Sequence, residues 1–206
     1  MHDEVKTASI PQLVDLSRDY YGFKREDVLV RAAELRSPEL LEAILERLND
    51  WVPQVRQAAR TALLALVPVL PPAAILKTLP VIDRLRLAKR ENHVAWIEQY
   101  YAMVVDVVGA DVLVAEAVAG TGDVARSCFN IVSTNSLLDA GQLAQRVLET
   151  GADFVTSLAA WRLVAGLKAN ELRTLADIAL ASPFGAVRTA ALRESLHSAG
   201  EQADAL

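Results

Sequence analysis

Residues 49–66 read NDWVPQVRQAARTALLAL, and the phase of this stretch decides the fold. Pro53 stands where a helix can begin, because its missing N–H falls among donors that have no intrahelical partner anyway. Val55, Ala58, Ala59, Ala62 and Leu63 then recur at three- and four-residue steps, the spacing of one buried helix face. Arg56 keeps to the edge of that face. Much of the stretch returns at 182–196 as SPFGAVRTAALRESL, with Arg188 in the place of Arg56.

Steps of 31 residues connect the two copies. Arg25 lies one step before Arg56, and Ser157 and Arg126 lie one and two steps before Arg188. Between Arg56 and Arg126 the spacing exceeds two steps by eight residues, and the surplus falls in PVLPPAAILKTLP, residues 68–80. A third unit anchored near Ala95 absorbs this insertion, which spans roughly 68–92. A period in this range marks stacked units, each too small to bury its apolar face alone.

Punctuation divides each unit into two helices. Ser37-Pro38 and Ser182-Pro183 place a capping residue before a first-turn proline, and Gly22, Gly109, Gly120, Gly151 and Gly166 fall at the ends of periodic runs. The spacing predicts first helices over 10–20, 38–48, 72–87, 110–119, 139–149 and 169–181. Second helices are predicted over 23–36, 52–67, 91–108, 122–135, 152–166 and 183–198. The expected fold is therefore all-α: a right-handed α-solenoid of about six antiparallel helix pairs forming one domain over 10–198, with tails at 1–9 and 199–206.

Composition agrees with helices. Hydrophobic residues make up 52% of the 206 but aromatics only 5%, so the core is written in Ala, Leu and Val. The net charge of −5 offers no bulk attraction to a phosphate backbone. Cys128, the single cysteine, cannot form an internal disulfide, and no metal-ligating cluster accompanies it. The N-terminal MHDEVKTASIPQ lacks the order of a signal peptide, and no apolar run approaches the roughly 20 residues of a membrane span. A soluble, cytoplasmic protein without metal or cofactor is expected.

Asp50, followed by Val55-Arg56, Ala58, Ala59, Ala62 and Leu63, resembles the second helix of a HEAT repeat and the turn before it, and Asp19 with Arg25 repeats the Asp-to-Arg spacing one unit earlier. The resemblance implies an armadillo-like superhelix in which Asp19, Arg25, Asp50 and Arg56 form a structural ladder between successive repeats. It also implies that the second helices line a concave face. Gly120 and Ser182 stand where the fourth and sixth units would carry the ladder Asp.

With each anchor as zero, offsets +1, +4 and +5 are expected to face outward. They give Gln57, Arg60 and Thr61; Trp96, Gln99 and Tyr100; Ser127, Asn130 and Ile131; Leu158, Trp161 and Arg162; and Thr189, Leu192 and Arg193. Aromatics beside Arg and Asn are typical of interface hot spots. Arg60, Trp96, Gln99, Tyr100, Asn130, Trp161, Arg162 and Arg193 are accordingly the candidate contacts for a protein or peptide partner on a non-enzymatic scaffold or adaptor.

No catalytic set is legible. His2 and His197 lie near the ends of the sequence, His93 starts a helix, and Glu39, Glu42 and Glu46 read as a solvated helix face. GTGDVA, residues 120–125, has the outline of a dinucleotide loop but interrupts a helical register rather than a βαβ unit. The basic run Arg84, Arg86, Lys89 and Arg90 suits a helix C-terminus, with a phosphate or acidic-peptide contact as its functional alternative. The competing class is a nucleic-acid binder or repair glycosylase similar to the DNA alkylation repeat family, for which Trp96, Tyr100, Trp161 and Arg162 supply aromatics and charge but the face lacks basic density. Similarity to HEAT-like bilin lyases has no dedicated residue signature here.

Overall fold

The structure, a computed structural model, describes residues 2–164 and 169–204, with side chains for 4–164 and 172–196. Among the described residues it is all-helical, without a strand. The elements are α1 (His2–Thr7), α2 (Ile10–Leu16), α3 (Gly22–Leu35), α4 (Leu41–Arg47), α5 (Pro53–Leu66), α6 (Pro72–Arg84) and α7 (Val94–Val108). They continue with α8 (Ala110–Ala119), α9 (Gly122–Thr134), α10 (Ala140–Thr150), α11 (Phe154–Leu163), α12 (Ala169–Leu180) and α13 (Gly185–Asp204). Short 3₁₀ turns precede α4 and follow α5 and α6. Gly166 and the side chains of His2 and His197 lie outside the described residues.

The helices start where local chemistry favours them. The Ser9 N–H donates to Gln12 Oε1 at 2.8 Å ahead of α2, and the Asp139 carboxylate accepts from the N–H groups of Gly141 and Gln142 to open α10. Gly151 closes α10 at φ +57°, the left-handed conformation that favours glycine, with its N–H on the Val147 carbonyl. Ser182-Pro183 does not open its helix directly. Ser182 Oγ accepts from the Phe184 N–H, and α13 begins two residues beyond the proline, so this segment is a turn rather than a helix cap.

Two expectations about the ends differ from what is observed. The first residues are not a tail, because α1 packs on α3 and buries Val5. At the other end α13 runs to Asp204, past the expected stop at 198. The chain falls into two compact units, Met1–Val108 and Gly109–Leu206.

Within the first unit α3 lies along α5, α1 and α2 pack on α3, α4 packs on α5, and α6 packs on α7. The turn before α3 lies so close to the next turn that a Cβ at Gly22 would sit 3.0 Å from Val52 Cγ2, which would have to give way. The second unit repeats one motif three times. Its helices pair as α8 with α9, α10 with α11 and α12 with α13, while α10 touches both α8 and α12 and α11 touches both α9 and α13. Among the described residues no helix is long and apolar enough to cross a membrane.

Ala59 is fully buried in α5, the helix that lies along α3. Ala59→Asp should cost about 3 kcal/mol or more, because the carboxylate would be buried without a partner. Gln54→Asp on the exposed side of α5 should change stability by less than about 0.5 kcal/mol. Thermal melts of the two variants followed by far-ultraviolet circular dichroism measure the contrast.

Candidate functional site

The predicted outward stripe divides into residues that face solvent and residues that do not. Gln99, Asn130, Arg162 and Arg193 are exposed, as are Gln57 and Thr61. Arg60, Trp96, Tyr100 and Trp161 are buried. The expectation that these four face a partner on an open surface is corrected, for two reasons. At 100° per residue, offset +4 lies only about 40° from the anchor, and the anchors Arg56 and Ser157 are themselves buried, so Arg60 and Trp161 turn inward with them. In the third unit the register is set by His93, two residues before Ala95. His93, Trp96, Ile97 and Tyr100 take the buried places in α7 and the turn before it that Arg56, Ala59, Arg60 and Leu63 hold in α5. Trp96 and Tyr100 stack in that core with ring centroids 5.6 Å apart, and the Tyr100 hydroxyl meets Thr78 Oγ1 at 2.6 Å. Burial pushes the Tyr100 phenol up to about 12, against the opposing hydrogen bond from Thr78.

Asp19, Arg25, Asp50 and Arg56 are joined by one chain of hydrogen bonds. Arg25 donates from Nε and Nη2 to the Asp50 carboxylate at 3.0 and 2.8 Å, and from Nη1 to the main-chain oxygens of Asp19 and Tyr20 at 2.7 and 2.9 Å. Arg56 donates from Nη1 to the Asp50 main-chain oxygen at 2.8 Å and from Nε to Glu91 at 2.7 Å. Each arginine thus holds its own turn by carbonyl oxygens and the next unit by a carboxylate. Burial raises the Asp50 carboxyl, but Arg25, the Val52 N–H and Arg47 outweigh it and leave the group below its ordinary value. The Asp19 carboxylate has a smaller role, accepting from the Tyr21 N–H and from Lys24.

Sequence spacing missed two acids of this series. Glu91 serves both Arg56 and Arg60, and it sits within the inserted region, outside any regular step. Asp153 receives Arg126 Nε and Nη2 at 3.2 and 3.1 Å, together with the N–H groups of Gly122 and Thr156. It does for Arg126 what Asp50 does for Arg25, from the following turn. Burial pushes the Asp153 carboxyl up, and Arg126 with those two N–H groups holds it far below the usual carboxylate range. Its signal was available as a capping residue three positions before Thr156, not as a repeat position. At Ser182 the main-chain oxygen alone accepts from Arg188, at 2.7 Å.

Arg60, Glu91, His93 and Trp96 form a second polar cluster in the first unit. Arg60 Nη1 reaches Glu91 at 2.9 Å, its Nη2 reaches His93 Nδ1 at 2.9 Å, and its guanidinium carbon lies 5.6 Å from the Trp96 ring centroid. A guanidinium can only donate, so Nδ1 must accept and the His93 proton resides on Nε2. Burial and then Arg60 lower the His93 pKa, Glu91 opposes them, and Arg56 adds to the lowering. His93 Nε2 and Trp96 Nε1 are enclosed without a hydrogen-bond partner among the described residues. This enclosure gives no route for a substrate to the imidazole. Among the described residues no group of His, Cys, Asp and Glu could hold a metal ion.

Two features of the first unit do reach solvent. A groove of about 520 Å³ is lined from α3 by Val30, Ala33, Glu26 and Glu34 and from α5 by Ala58, Gln57 and Thr61. It includes two of the exposed residues of the predicted stripe. The second feature is aromatic: Tyr20, Tyr21, Phe23 and Trp51 are all exposed at the turns into α3 and α5. In the second unit Phe154 and Phe184 meet edge to face, with centroids 5.6 Å apart. Of the basic run, Arg86 lies over Tyr101 and Arg90 donates to the Asn49 carbonyl, so both are held by the fold.

The ladder predicts an order of losses. Asp50→Ala should cost about 3–5 kcal/mol by stranding the buried Arg25 charge, Arg56→Ala about 1–3 kcal/mol, and Asp19→Ala the least of the three. Chemical denaturation of the three variants tests that order. His93 predicts a pH dependence. Its folded pKa lies below the ordinary 6.5, so its contribution is complete above that value and is lost as pH falls through it toward the depressed pKa. The melting temperature should fall between about pH 7.5 and pH 5.5, and His93→Gln, which keeps an acceptor for Arg60 and does not titrate, should flatten that slope.

No protein-family model, curated protein or solved structure matches the chain.

Proposed function

We propose that the chain is a cytoplasmic, non-enzymatic scaffold or adaptor, a right-handed α-solenoid resembling HEAT-repeat proteins, that binds a protein or peptide partner along its second helices. The observation that carries this reading is the groove between α3 and α5, where exposed Val30 and the small residues Ala33 and Ala58 lie among Glu26, Glu34, Gln57 and Thr61. Apolar surface bordered by polar side chains is the usual anatomy of a protein interface. Small side chains leave room for a partner's own side chains to enter between two helices.

The state of the titratable groups supports the same reading. Asp50, Asp153 and His93, the groups most easily taken for chemistry, are engaged by Arg25, Arg126 and Arg60 in contacts that hold turns together. The carboxylates at the groove would repel a phosphate backbone. That argues against the glycosylase-like alternative.

A photo-crosslinking residue introduced at Gln57 should capture a defined partner from native extract, and Ala58→Arg, which fills the groove, should abolish that capture while leaving the melting temperature unchanged. Equal capture by the Ala58→Arg protein would remove the groove from the interface. Salt-sensitive retardation of duplex DNA by the wild-type protein would instead favour the nucleic-acid reading.

A further inference from the structure

The aromatic residues separate into two sets. Trp96, Tyr100, Tyr101, Phe129 and Trp161 are buried, whereas Tyr20, Tyr21, Phe23, Trp51, Phe154 and Phe184 all lie in or beside a turn that leads into the second helix of a pair. In the first unit this edge is dense. Tyr20 is 83%, Tyr21 55%, Phe23 43% and Trp51 66% exposed. Tyr20 and Tyr21 meet edge to face at 5.5 Å, and Tyr21 stacks on Phe23 at 5.4 Å. Arg25 connects the two turns, with its guanidinium carbon 5.5 Å from the Trp51 ring centroid while Nη1 holds the Tyr20 carbonyl.

We infer that this edge docks a proline-rich segment of a partner protein in the polyproline II conformation. Clusters of large exposed aromatics mark binding surfaces. The neighbouring charges decide what kind of segment fits. Asp19 is engaged by Lys24 and the Tyr21 N–H, Asp50 by Arg25, and Glu46 by Arg18 and Arg47, so the carboxylates beside the rings are already engaged. The Tyr20 and Tyr21 hydroxyls and the Trp51 indole N–H make no hydrogen bond to the described residues. The edge therefore offers ring faces, three spare donors and, in the same two hydroxyls, acceptors as well.

A polyproline II segment is the complement of that inventory. Its carbonyls have no internal partner and its prolines have no N–H, so it needs donors and apolar walls and almost no acceptors. It is also extended before binding, so little ordering entropy opposes its capture on an aromatic surface. A strongly cationic peptide would need free carboxylates, and Asp19, Asp50 and Glu46 are already engaged by cations. The groove between α3 and α5 has no part in this inference.

The test is a fluorescence titration of the full chain with a capped decaproline peptide. Trp96 and Trp161 are buried, so a change in tryptophan emission on binding reports Trp51. A saturable blue shift is expected with decaproline and none with a glycine-serine peptide of equal length. Tyr20→Ala/Tyr21→Ala should weaken the decaproline affinity by at least about tenfold, and Tyr20→Phe/Tyr21→Phe, which keeps the rings and removes the donors, should fall between that and wild type. Ala58→Arg should bind decaproline as wild type does, which separates this edge from the groove. An unsaturated response at millimolar peptide, or equal affinity in the double alanine variant, would overturn the inference. So would a peptide-independent, concentration-dependent shift accompanied by a doubled sedimentation mass, which would make the edge a contact between two copies of the chain.

Discussion

The structure of the first unit depends on placing the Arg25 guanidinium where almost no water reaches it. Its side chain is 3% exposed and that of its partner Asp50 is 1% exposed. Two charges removed from water stabilise a fold only when their geometry is good and their remaining hydrogen-bonding positions are filled. Here the carboxylate receives two donors from Arg25 and one from the Val52 N–H, and the third guanidinium nitrogen is shared between two turn carbonyls. The turn before α3 and the turn before α5 are thereby fixed to each other by directional bonds. The starts of both second helices follow, and with them the close approach that Gly22 permits against Val52.

That constraint also produces the surface. Once the ladder has claimed the carboxylate and the main-chain oxygens of the turn, the residue after the acid projects outward. Tyr20 follows Asp19, Trp51 follows Asp50 and Phe154 follows Asp153, and all three are exposed. An aromatic at such a position contributes little to the core, whereas its rigid ring loses little entropy on contact with a partner. The ladder and the aromatic edge are two faces of one turn, the first structural and the second available for recognition.

Much of the fold was legible because period and punctuation agree. Pro53, the glycines at 109 and 151, and the alanine-leucine stripe of α5 each report a local preference that tertiary packing reinforces, so the described helices fall close to the expected spans. The site was less legible. Arg60 and Trp161 were assigned by offset alone, and an offset cannot say how wide the buried face is. In α5 that face includes charged Arg60, because Glu91 and His93 arrive from a distant stretch to satisfy it. The aromatic edge was written plainly as Asp-Tyr, Asp-Trp and Asp-Phe, but its aromatics stand in turns, where hydrophobic periodicity carries no signal.

The third unit shows what the repeat requires. The insertion carries α6 with Pro80 inside it and moves the next acid to Glu91, 35 residues beyond Arg56, where Asp50 is 25 beyond Arg25. The ladder survives because the physics asks for an acceptor at a place in space, not at a fixed count along the chain. The arginine position itself is taken by His93, which cannot pass a permanent charge onward. As a neutral acceptor it terminates the series by receiving Arg60 instead of donating to a further acid. Protonation would turn that acceptor into a donor facing a guanidinium, so the arginine series in the first unit ends on a pH-sensitive joint.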